Sequence, residues 1–357
     1  MKTITKEETM RAVVVENFGG PEVLVPRELR RPQPGPGQVL IRVAYCGVCR
    51  HDLLTRSGAF PSISLPITLG HQVSGRIAEL GEGVSNLSVG QRVMTMIYQS
   101  CGDCMNCNEG NTALCTTHRP QFLGEDFDGG YAEYVLVNEK MILPVEDGLP
   151  LEHAAVITCT YGTAYHALLT RGRASTQQTV LVTGASGGVG LHLLQLARHL
   201  GITVIAVTSS PNKQDLLRKF GASEVIVNRD RKFAAAAKKA TGGRGVDLVM
   251  EIVGGASLGE SVHAVRNGGA IVLIGNIEGQ PASIKPAHFI LKEISLIGTK
   301  SCTHDEVGEV CKLITDDHLG VEVDGIFPLD EAAKVHRMME DGSSHGRFVL
   351  QVNGDIT

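Results

Sequence analysis

Four cysteines within one short segment constrain this chain more than any other feature. They follow the spacing C-x₂-C-x₂-C-x₇-C, at Cys101, Cys104, Cys107 and Cys115. The segment has little apolar material with which to build a core, but four thiolates around a tetrahedral Zn²⁺ would order it, because metal binding then supplies folding free energy. Four protein ligands leave no open position, so the spacing predicts a structural zinc. Two disulfides, four unrelated thiols and an iron–sulfur cluster are the alternatives.

Composition is typical of an ordinary globular protein with more than one domain. The 357 residues are too many for one small core, and 43% of them are hydrophobic and 20% charged. The net charge of −5 gives no basic field for nucleic acid or an anionic membrane. No apolar run approaches the length of a membrane span. Nine cysteines without an apolar leader at the N-terminus predict a reducing, cytoplasmic location.

Two kinds of pattern divide the sequence. Up to about residue 150, short alternating runs such as Val39–Ala44 lie between turn signals and predict a mostly β domain. From Leu151 a helical stretch leads into alternating strands and helices, beginning with the strand Thr179–Thr183 and the helix Gly188–Leu200. Later expected strands are Thr203–Thr208, Glu224–Val227 and Gly269–Ile274. That alternation predicts a doubly wound parallel sheet. The chain then ends in the strand-like Arg347–Val352, so we expect the α/β block to be inserted into the β-rich domain.

A glycine-rich loop opens the first βαβ unit. Gly184, Gly187, Gly188 and Gly190 lie between the buried strand TVLVTG and the helix LHLLQLARHLG. Glycine there permits a tight turn and close approach of a pyrophosphate, whose charge the helix N-terminus stabilises. Because the strand, the loop, the helix and the following pattern agree, the segment predicts dinucleotide binding rather than a turn without a ligand.

The end of the second strand bears on which nicotinamide nucleotide is bound. An acid there would accept hydrogen bonds from the adenosine 2′-hydroxyl of NAD. The chain instead reads TSSPNK at residues 208–213 and reaches its first acid at Asp215. The hydroxyls of Thr208 and Ser209 and the Lys213 ammonium suit a 2′-phosphate, so NADP(H) is favoured over NAD(H). Alternatively, the hydroxyls cap the next helix and Lys213 is a solvated charge.

A second group of metal-ligating residues is dispersed along the chain. Cys49 in CGVCRHDLL, His71 in PITLGHQVSG and Cys159 in VITCTYGTAYHAL are candidates for a catalytic zinc. Such a zinc needs three protein ligands and one open position. The residues alone leave open whether Cys159 is a ligand or a small buried hydrophobe. Cys46 is an alternative to Cys49 as a metal ligand, but the position of Cys49 within GVCRHD favours Cys49.

Together these residues resemble the zinc-dependent alcohol dehydrogenases of the medium-chain dehydrogenase/reductase superfamily. The resemblance extends from about Met10 to Val352 and includes GVCRHD, LGHQVSG, the four-cysteine segment, GASGGVG and HGRFVL. It implies an α/β protein with a Rossmann-type doubly wound parallel sheet inserted into a β-rich GroES-like catalytic domain. The expected bounds are 156–295 for the Rossmann domain, 1–155 and 296–357 for the catalytic domain, and about 99–116 for the zinc lobe. A homodimer or homotetramer acting on a small molecule is expected.

The resemblance also implies roles for individual residues. Cys49, His71 and Cys159 would hold a catalytic zinc and the four clustered cysteines a structural one, giving two zinc ions per chain. The remaining implied contacts are Arg50 and Arg347 with the pyrophosphate, Thr163 and Val189 with the nicotinamide, and Phe60 and Ile97 with the substrate.

Two positions depart from the family pattern. Gln72 follows His71 where the family commonly has Glu, which removes a carboxylate proposed to approach the metal. His51 stands where the family commonly has Ser or Thr in a proton relay. Imidazole can also pass a proton, although a histidine that only packs beside the site is an equal alternative. We expect Asp52 to orient a ligand, because metal sites need acceptors behind their ligands.

The expected activity is hydride transfer between NADP(H) and an alcohol, aldehyde or ketone. A second possibility is NADPH-dependent reduction of an activated C=C bond, because GASGGVG, TSSPNK and ILKEISLIGT also resemble enoyl-thioester reductases of the acryloyl-CoA type. A non-catalytic nucleotide-binding protein is a remoter alternative. The three intact candidate ligands argue against it.

Overall fold

The computed structural model describes residues 8–60, 62–277 and 279–354. These residues form two compact units: residues 8–159, 303–305 and 323–354 make the first, and residues 160–302 and 306–322 make the second. The second unit therefore starts later and extends further along the chain than the expected 156–295.

Strands and helices are numbered in chain order. The described strands are β1 (Thr9–Val15), β2 (Leu24–Arg30), β3 (Gln38–Val48), β4 (Ile67–Thr68), β5 (Gln72–Leu80), β6 (Arg92–Thr95), β7 (Tyr98–Gln99), β8 (Gln121–Phe122), β9 (Tyr134–Asn138), β10 (Ile142–Pro144), β11 (Thr179–Val182), β12 (Thr203–Thr208), β13 (Glu224–Val227), β14 (Val246–Glu251), β15 (Val265–Leu273), β16 (Ser295–Gly298), β17 (Val323–Pro328) and β18 (Arg347–Gln351).

The described α-helices are α1 (Arg50–Ser57), α2 (Met105–Asn108), α3 (Leu151–Ile157), α4 (Thr163–Tyr165), α5 (Gly188–His199), α6 (Gln214–Lys219), α7 (Ala234–Ala240), α8 (Leu258–Ala264), α9 (Pro286–Lys292), α10 (His304–Thr315) and α11 (Ala332–Glu340). Two π-helical segments, Thr158–Gly162 and His166–Arg171, continue the helix that α3 and α4 belong to. Among the described residues, no helix combines the length and apolarity needed to cross a membrane.

The first unit is built mainly from antiparallel strands. Its largest sheet has the order β10-β6-β5-β3-β18-β17, with β9 also paired to β3, and a smaller sheet has the order β2-β1-β4. β3 is buried at almost every position, as expected for an apolar run inside a sheet. β18 pairs antiparallel with β3. A strand from the C-terminal part of the chain thus completes the sheet, which confirms that the α/β block is inserted into the β-rich domain.

The second unit contains a six-stranded parallel sheet in the order β13-β12-β11-β14-β15-β16. Counted along this unit the order is 3-2-1-4-5-6, the doubly wound Rossmann arrangement, so the predicted fold class is confirmed. Apolar residues such as Leu181, Ile205 and Val249 fill the core against the sheet. The winding reverses between β11 and β14, and sheets of this type bind ligands at the carboxyl ends of the strands at that point.

Candidate active site

The four clustered cysteines converge around helix α2 and the turns beside it. The Sγ–Sγ distances are 3.8 Å for Cys101–Cys107, 3.4 Å for Cys104–Cys107, 3.9 Å for Cys104–Cys115 and 3.5 Å for Cys101–Cys115. These distances are too long for disulfides. Sulfur atoms about 2.3 Å from a central zinc would lie about 3.8 Å from one another at the corners of a tetrahedron. The cluster therefore fits a four-coordinate structural zinc.

Cys49, His71 and Cys159 also come together, from three separate parts of the first unit. Cys49 precedes α1, His71 precedes β5, and Cys159 lies in the π-helical segment after α3. Their ligand atoms all lie within 4.8 Å of one another, and the two Sγ atoms are 3.9 Å apart. Two thiolates and an imidazole at this spacing fit three corners of a zinc tetrahedron and leave the fourth open.

The Asp52 carboxylate fixes two of these ligands. Its Oδ1 lies 3.0 Å from His71 Nδ1, and its Oδ2 accepts the Cys49 N–H at 2.7 Å. The expectation that Asp52 orients a ligand is thus confirmed, and His71 Nε2 is left for a metal. Burial lowers the pKa of His71, but the charge and hydrogen bond of Asp52, with Cys49, outweigh it and raise that pKa to about 10. Metal binding at Nε2 requires the neutral form of this imidazole.

A buried arginine lies beside the two thiols. Arg347 is 5% exposed, and its Nη2 lies 3.8 Å from Cys159 Sγ while its Nη1 donates to the Val48 carbonyl oxygen at 3.4 Å. The hydrogen bond with Cys159 and the charge of Arg347 hold the pKa of Cys49 well below its usual range, against the effect of burial. The hydrogen bond that Cys159 forms with Cys49, together with burial, holds the pKa of Cys159 well above its usual range. Arg347 thus offsets part of the negative charge of the ligand set, and the implied pyrophosphate contact stays a prediction.

A glutamate that sequence reasoning missed holds His51 beside this cluster. His51 Nε2 lies 2.5 Å from Glu125 Oε1, and Thr55 Oγ1 donates to the same oxygen at 2.7 Å. The imidazole stacks between Phe60 and Phe122, with ring centroids 4.9 and 4.6 Å away. Burial raises the pKa of Glu125, but the hydrogen bond and charge of His51 outweigh it, so the pKa lies below its ordinary value. The pair is suited to holding a proton, as the implied relay requires.

Other predicted residues of the first unit occupy more ordinary surroundings. Arg50 is half-buried, and its Nη1 lies 3.4 Å from the Met339 carbonyl oxygen. Gln72 is buried, and its Nε2 donates to the Gly47 carbonyl oxygen at 3.4 Å. Ile97 is buried. Phe60, the other residue implied to line the substrate pocket, stacks on His51. The roles of Arg50 and Ile97 stay predictions.

In the second unit, the glycine-rich loop lies at the carboxyl end of β11. Gly184 has a φ of +60°, which other residues rarely adopt, and a Cβ at Gly190 would lie 2.5 Å from the Ala185 carbonyl oxygen. Gly187 caps α5, whose first turn holds Val189. The N–H groups of this turn lack helical partners and are available to a phosphate. The loop thus has the backbone that dinucleotide binding requires.

The TSSPNK segment follows β12 in the same unit. The Thr208 hydroxyl is buried and accepts the Ser210 N–H at 3.2 Å, so it closes the turn. Ser209 is exposed and Lys213 is partly exposed. Ser209 and Lys213, rather than Thr208, are therefore the groups best placed for a 2′-phosphate. Thr163, predicted to contact the nicotinamide, begins α4 and is half-buried.

Comparison with known proteins places these features in a family. Sequence models of the alcohol dehydrogenase GroES-like domain and of the zinc-binding dehydrogenases match residues 35–147 and 188–316. An acryloyl-coenzyme A reductase from Metallosphaera sedula is 36% identical over 343 residues, which are 96% of this chain and 99% of that protein. The chain belongs to the zinc-binding dehydrogenases of the medium-chain dehydrogenase/reductase superfamily.

Two further similarities bear on what this zinc-binding dehydrogenase does. An alcohol dehydrogenase from Geobacillus stearothermophilus is 33% identical over 346 residues, covering 96% of this chain and 100% of that protein. The crystal structure of AibC superposes with a TM-score of 0.90 at 40% identity, covering 99% of this chain and 98% of that one. Family membership makes the protein an oxidoreductase. The expected alcohol or carbonyl substrate does not follow from it, because the similarity to the acryloyl-coenzyme A reductase is at least as strong.

Proposed function

We propose that this zinc-binding dehydrogenase reduces the C=C bond of an α,β-unsaturated acyl thioester with NADPH. The observation that carries the proposal is the 36% identity to an acryloyl-coenzyme A reductase across 96% of the chain. The open metal site formed by Cys49, His71 and Cys159 is compatible with this reaction. The thioester carbonyl is conjugated with the C=C bond, so an electrophile at the carbonyl oxygen makes the β-carbon receptive to hydride.

The residues present fit both groups that this chemistry needs. Zinc held by Cys49, His71 and Cys159 would polarise the carbonyl, and the nicotinamide would supply the hydride. Within the first unit, Asp52 orients two of the ligands, and Arg347 offsets the charge of the two thiolates. The four-cysteine lobe would hold the second zinc, which has a purely structural role.

The proton that completes the reduction can be held at His51. Its Nε2 shares a hydrogen with Glu125 Oε1, and the rings of Phe60 and Phe122 keep the imidazole in one plane. A positioned imidazole with a carboxylate partner is the common arrangement for general acid catalysis. Proton delivery to the α-carbon would balance hydride addition at the β-carbon.

The second unit would bind the nucleotide. Gly184, Gly187, Gly188 and Gly190 allow the pyrophosphate to approach the N-terminus of α5. The exposed Ser209 hydroxyl and the Lys213 ammonium support a preference for NADP(H) over NAD(H), and the segment between β12 and α6 brings no acid to repel a 2′-phosphate.

An alcohol dehydrogenase or carbonyl reductase is the second candidate. The complete set of two cysteines and one histidine favours it, because the same ligands suit alcohol oxidation. The two functions differ in whether hydride reaches the β-carbon of a conjugated thioester or a carbonyl carbon.

Steady-state assays with the zinc-loaded protein separate these candidates. We expect NADPH oxidation with acryloyl-CoA to give propionyl-CoA. The kcat/KM for acryloyl-CoA should be at least about tenfold above that for propanal, and it should be higher with NADPH than with NADH as the cofactor. Cys49→Ala should abolish turnover while leaving NADPH binding intact, and Cys311→Ser serves as the matched control. Turnover of propanal or propanol without turnover of acryloyl-CoA would establish the second candidate instead.

We further propose that the chain forms at least a homodimer. Support comes from β16, which lies at one edge of the six-stranded sheet, and from exposed apolar side chains in β16 and in α9, the helix that precedes it in the chain. Ile290, Leu291 and Leu296 are 73%, 80% and 37% exposed. A second copy could continue the sheet and cover these side chains.

A further inference from the structure

A fully buried carboxylate lies at the end of β14. Glu251 has no exposed surface, and its carboxyl group has five hydrogen-bond partners. They are Thr183 Oγ1 (2.7 Å), Ser257 Oγ (2.6 Å), the Val253 N–H (3.0 Å) and the Gly254 N–H (2.9 Å) to Oε1, and the Ser261 hydroxyl to Oε2. An ionised carboxylate can accept hydrogen bonds from all five of these groups. The five partners are hydroxyls and backbone amides, so none of them carries a charge.

This network joins the two loops where the winding of the sheet reverses. Thr183 immediately precedes Gly184 after β11, and its hydroxyl also accepts the Ile252 N–H at 2.9 Å. Gly184 lies against the loop after β14, because a Cβ there would be 3.3 Å from Val253 Cγ2. Of the two serine partners, Ser257 is the N-cap residue of α8 and Ser261 lies within that helix. Glu251 therefore fixes the loop after β11, the loop after β14 and the start of α8 relative to one another.

The position of β14 indicates which half of a dinucleotide lies near Glu251. In a sheet of this order, each group of three strands binds one mononucleotide, and the first group carries the glycine loop and the adenosine ribose contacts. β14 begins the second group, which receives the nicotinamide half. An oxidised nicotinamide ring has a positive charge that the reduced ring lacks. When it is ionised, a buried carboxylate with only uncharged partners attracts that charge more strongly than it would in water.

We propose that Glu251 is a positioning residue of the cofactor site that sets the two loops for the nicotinamide half and favours the oxidised over the reduced cofactor. The inference rests on the proposed nicotinamide cofactor. Tighter binding of the oxidised form assists a reductase, because it stabilises the enzyme–cofactor complex that hydride transfer to the substrate produces. A purely structural role for Glu251 has a different consequence, since loss of packing alone affects both cofactor forms equally.

The test compares dissociation constants for NADP⁺ and NADPH in the full-length, zinc-loaded protein. Glu251→Gln preserves the shape of the side chain and removes its charge. We expect Kd for NADP⁺ to rise at least about tenfold and Kd for NADPH to rise no more than about threefold. Equal changes for both nucleotides, or no change, in a variant with the wild-type circular dichroism spectrum would overturn the inference.

A second variant tests the positioning role if Glu251→Gln does not fold. Thr183→Val removes the hydroxyl that bonds Glu251 and the Ile252 N–H but keeps the carboxylate, so both dissociation constants should rise by a similar factor, about threefold. Unchanged affinities, or a changed ratio between the two nucleotides, would count against the inference. A wild-type protein that binds neither nucleotide would refute the proposed function itself, whereas a wild-type protein that binds both leaves Glu251 to be judged by its variants.

Discussion

Residues behind the ligands determine the geometry of the candidate metal centre. Asp52 contacts both His71 and Cys49, and Glu125 holds His51 in place beside them. Such partners fix the tautomer and direction of a ligand, and their loss commonly weakens metal binding although no ligand is removed. The three ligands alone would not select one arrangement of two thiols and an imidazole.

Asp52→Asn should weaken zinc binding at the open site. The amide oxygen can still accept from His71, but the amide nitrogen cannot accept the Cys49 N–H that Oδ2 now accepts at 2.7 Å. We expect zinc affinity at this site to fall about ten- to hundredfold, measured by competition with a chelating dye. Asp215→Asn, an exposed carboxylate in the second unit, is the control and should retain wild-type affinity. Unchanged affinity in Asp52→Asn would show that the ligands need no such support.

Sequence could predict the ligands better than the residues that support them. Cys49 and Asp52 share one short motif, so both were identified. Glu125 meets His51 across 74 positions of chain, and no spacing connects a loop acid with a histidine so distant. Glu251 had a weak signal, an acid at the end of the apolar strand VDLVME. Four of its five partners lie within 10 positions of it, but Thr183 lies 68 positions away, and only the folded sheet brings it to the carboxylate.

Among the secondary-structure elements, helices α1 and α11 are joined by a buried histidine. His336 Nδ1 lies 3.4 Å from Arg56 Nη1, and its Nε2 lies 3.0 Å from the Tyr131 hydroxyl. Arginine only donates, so Nδ1 accepts and Nε2 carries the hydrogen that is donated to Tyr131. The Tyr131 ring packs on Gly70, where a Cβ would lie 2.5 Å from Tyr131 Cδ1. The contact thus supports the turn that leads into His71.

The buried His336 should make the protein less stable in acid. Burial, and then the charge of Arg56, lower the pKa of His336 to about 3. The unfolded chain binds a proton near the ordinary value of about 6.5, so this contribution to stability is complete above that pH and is lost as pH falls towards 3. At about pH 5 the loss from this residue is about 2 kcal/mol.

Urea unfolding at about pH 7.5 and about pH 5 measures this effect. His336→Gln can still accept and donate hydrogen bonds but does not titrate, so its stability should fall between the two conditions by about 2 kcal/mol less than that of the wild type. His118→Gln, at an exposed position, should keep the wild-type pH dependence. A steep wild-type slope that persists in His336→Gln would assign the acid sensitivity to other groups.

Periodicity predicted most elements, and its errors have physical causes. β12 and β13 have the bounds expected from their apolar runs. β15 begins at Val265 rather than at the expected Gly269. The polar, glycine-containing run RNGG resembles a turn in the sequence, but the strand continues through it. Its pairing with β14 is irregular in register there. The π-helical segment at Thr158–Gly162 has no sequence signature. It holds Cys159, so the direction of that thiol depended on tertiary structure.

At the scale of the whole molecule, the insertion of one fold into another was readable because both ends of the chain carry strands. Antiparallel pairing of β18 with β3 requires a long-range contact that neither segment encodes alone, yet the return to a strand-like pattern after the last Rossmann strand indicated it. Self-association is harder to predict, because an exposed apolar residue has the same sequence signal as a buried one. The structure identifies Ile290 and Leu291 as exposed.

The proposed homodimer should depend on the edge of the six-stranded sheet. An edge strand presents unpaired backbone groups, and nearby exposed apolar side chains favour burial against a second copy. The double variant Ile290→Glu and Leu291→Glu places charges in this surface, so sedimentation velocity should show a monomer where the wild type shows a dimer or a tetramer. Val89→Glu changes an exposed apolar residue of the first unit and should leave the wild-type mass unchanged. A wild-type monomer, or a dimer that survives the double variant, would place any self-association elsewhere on the chain.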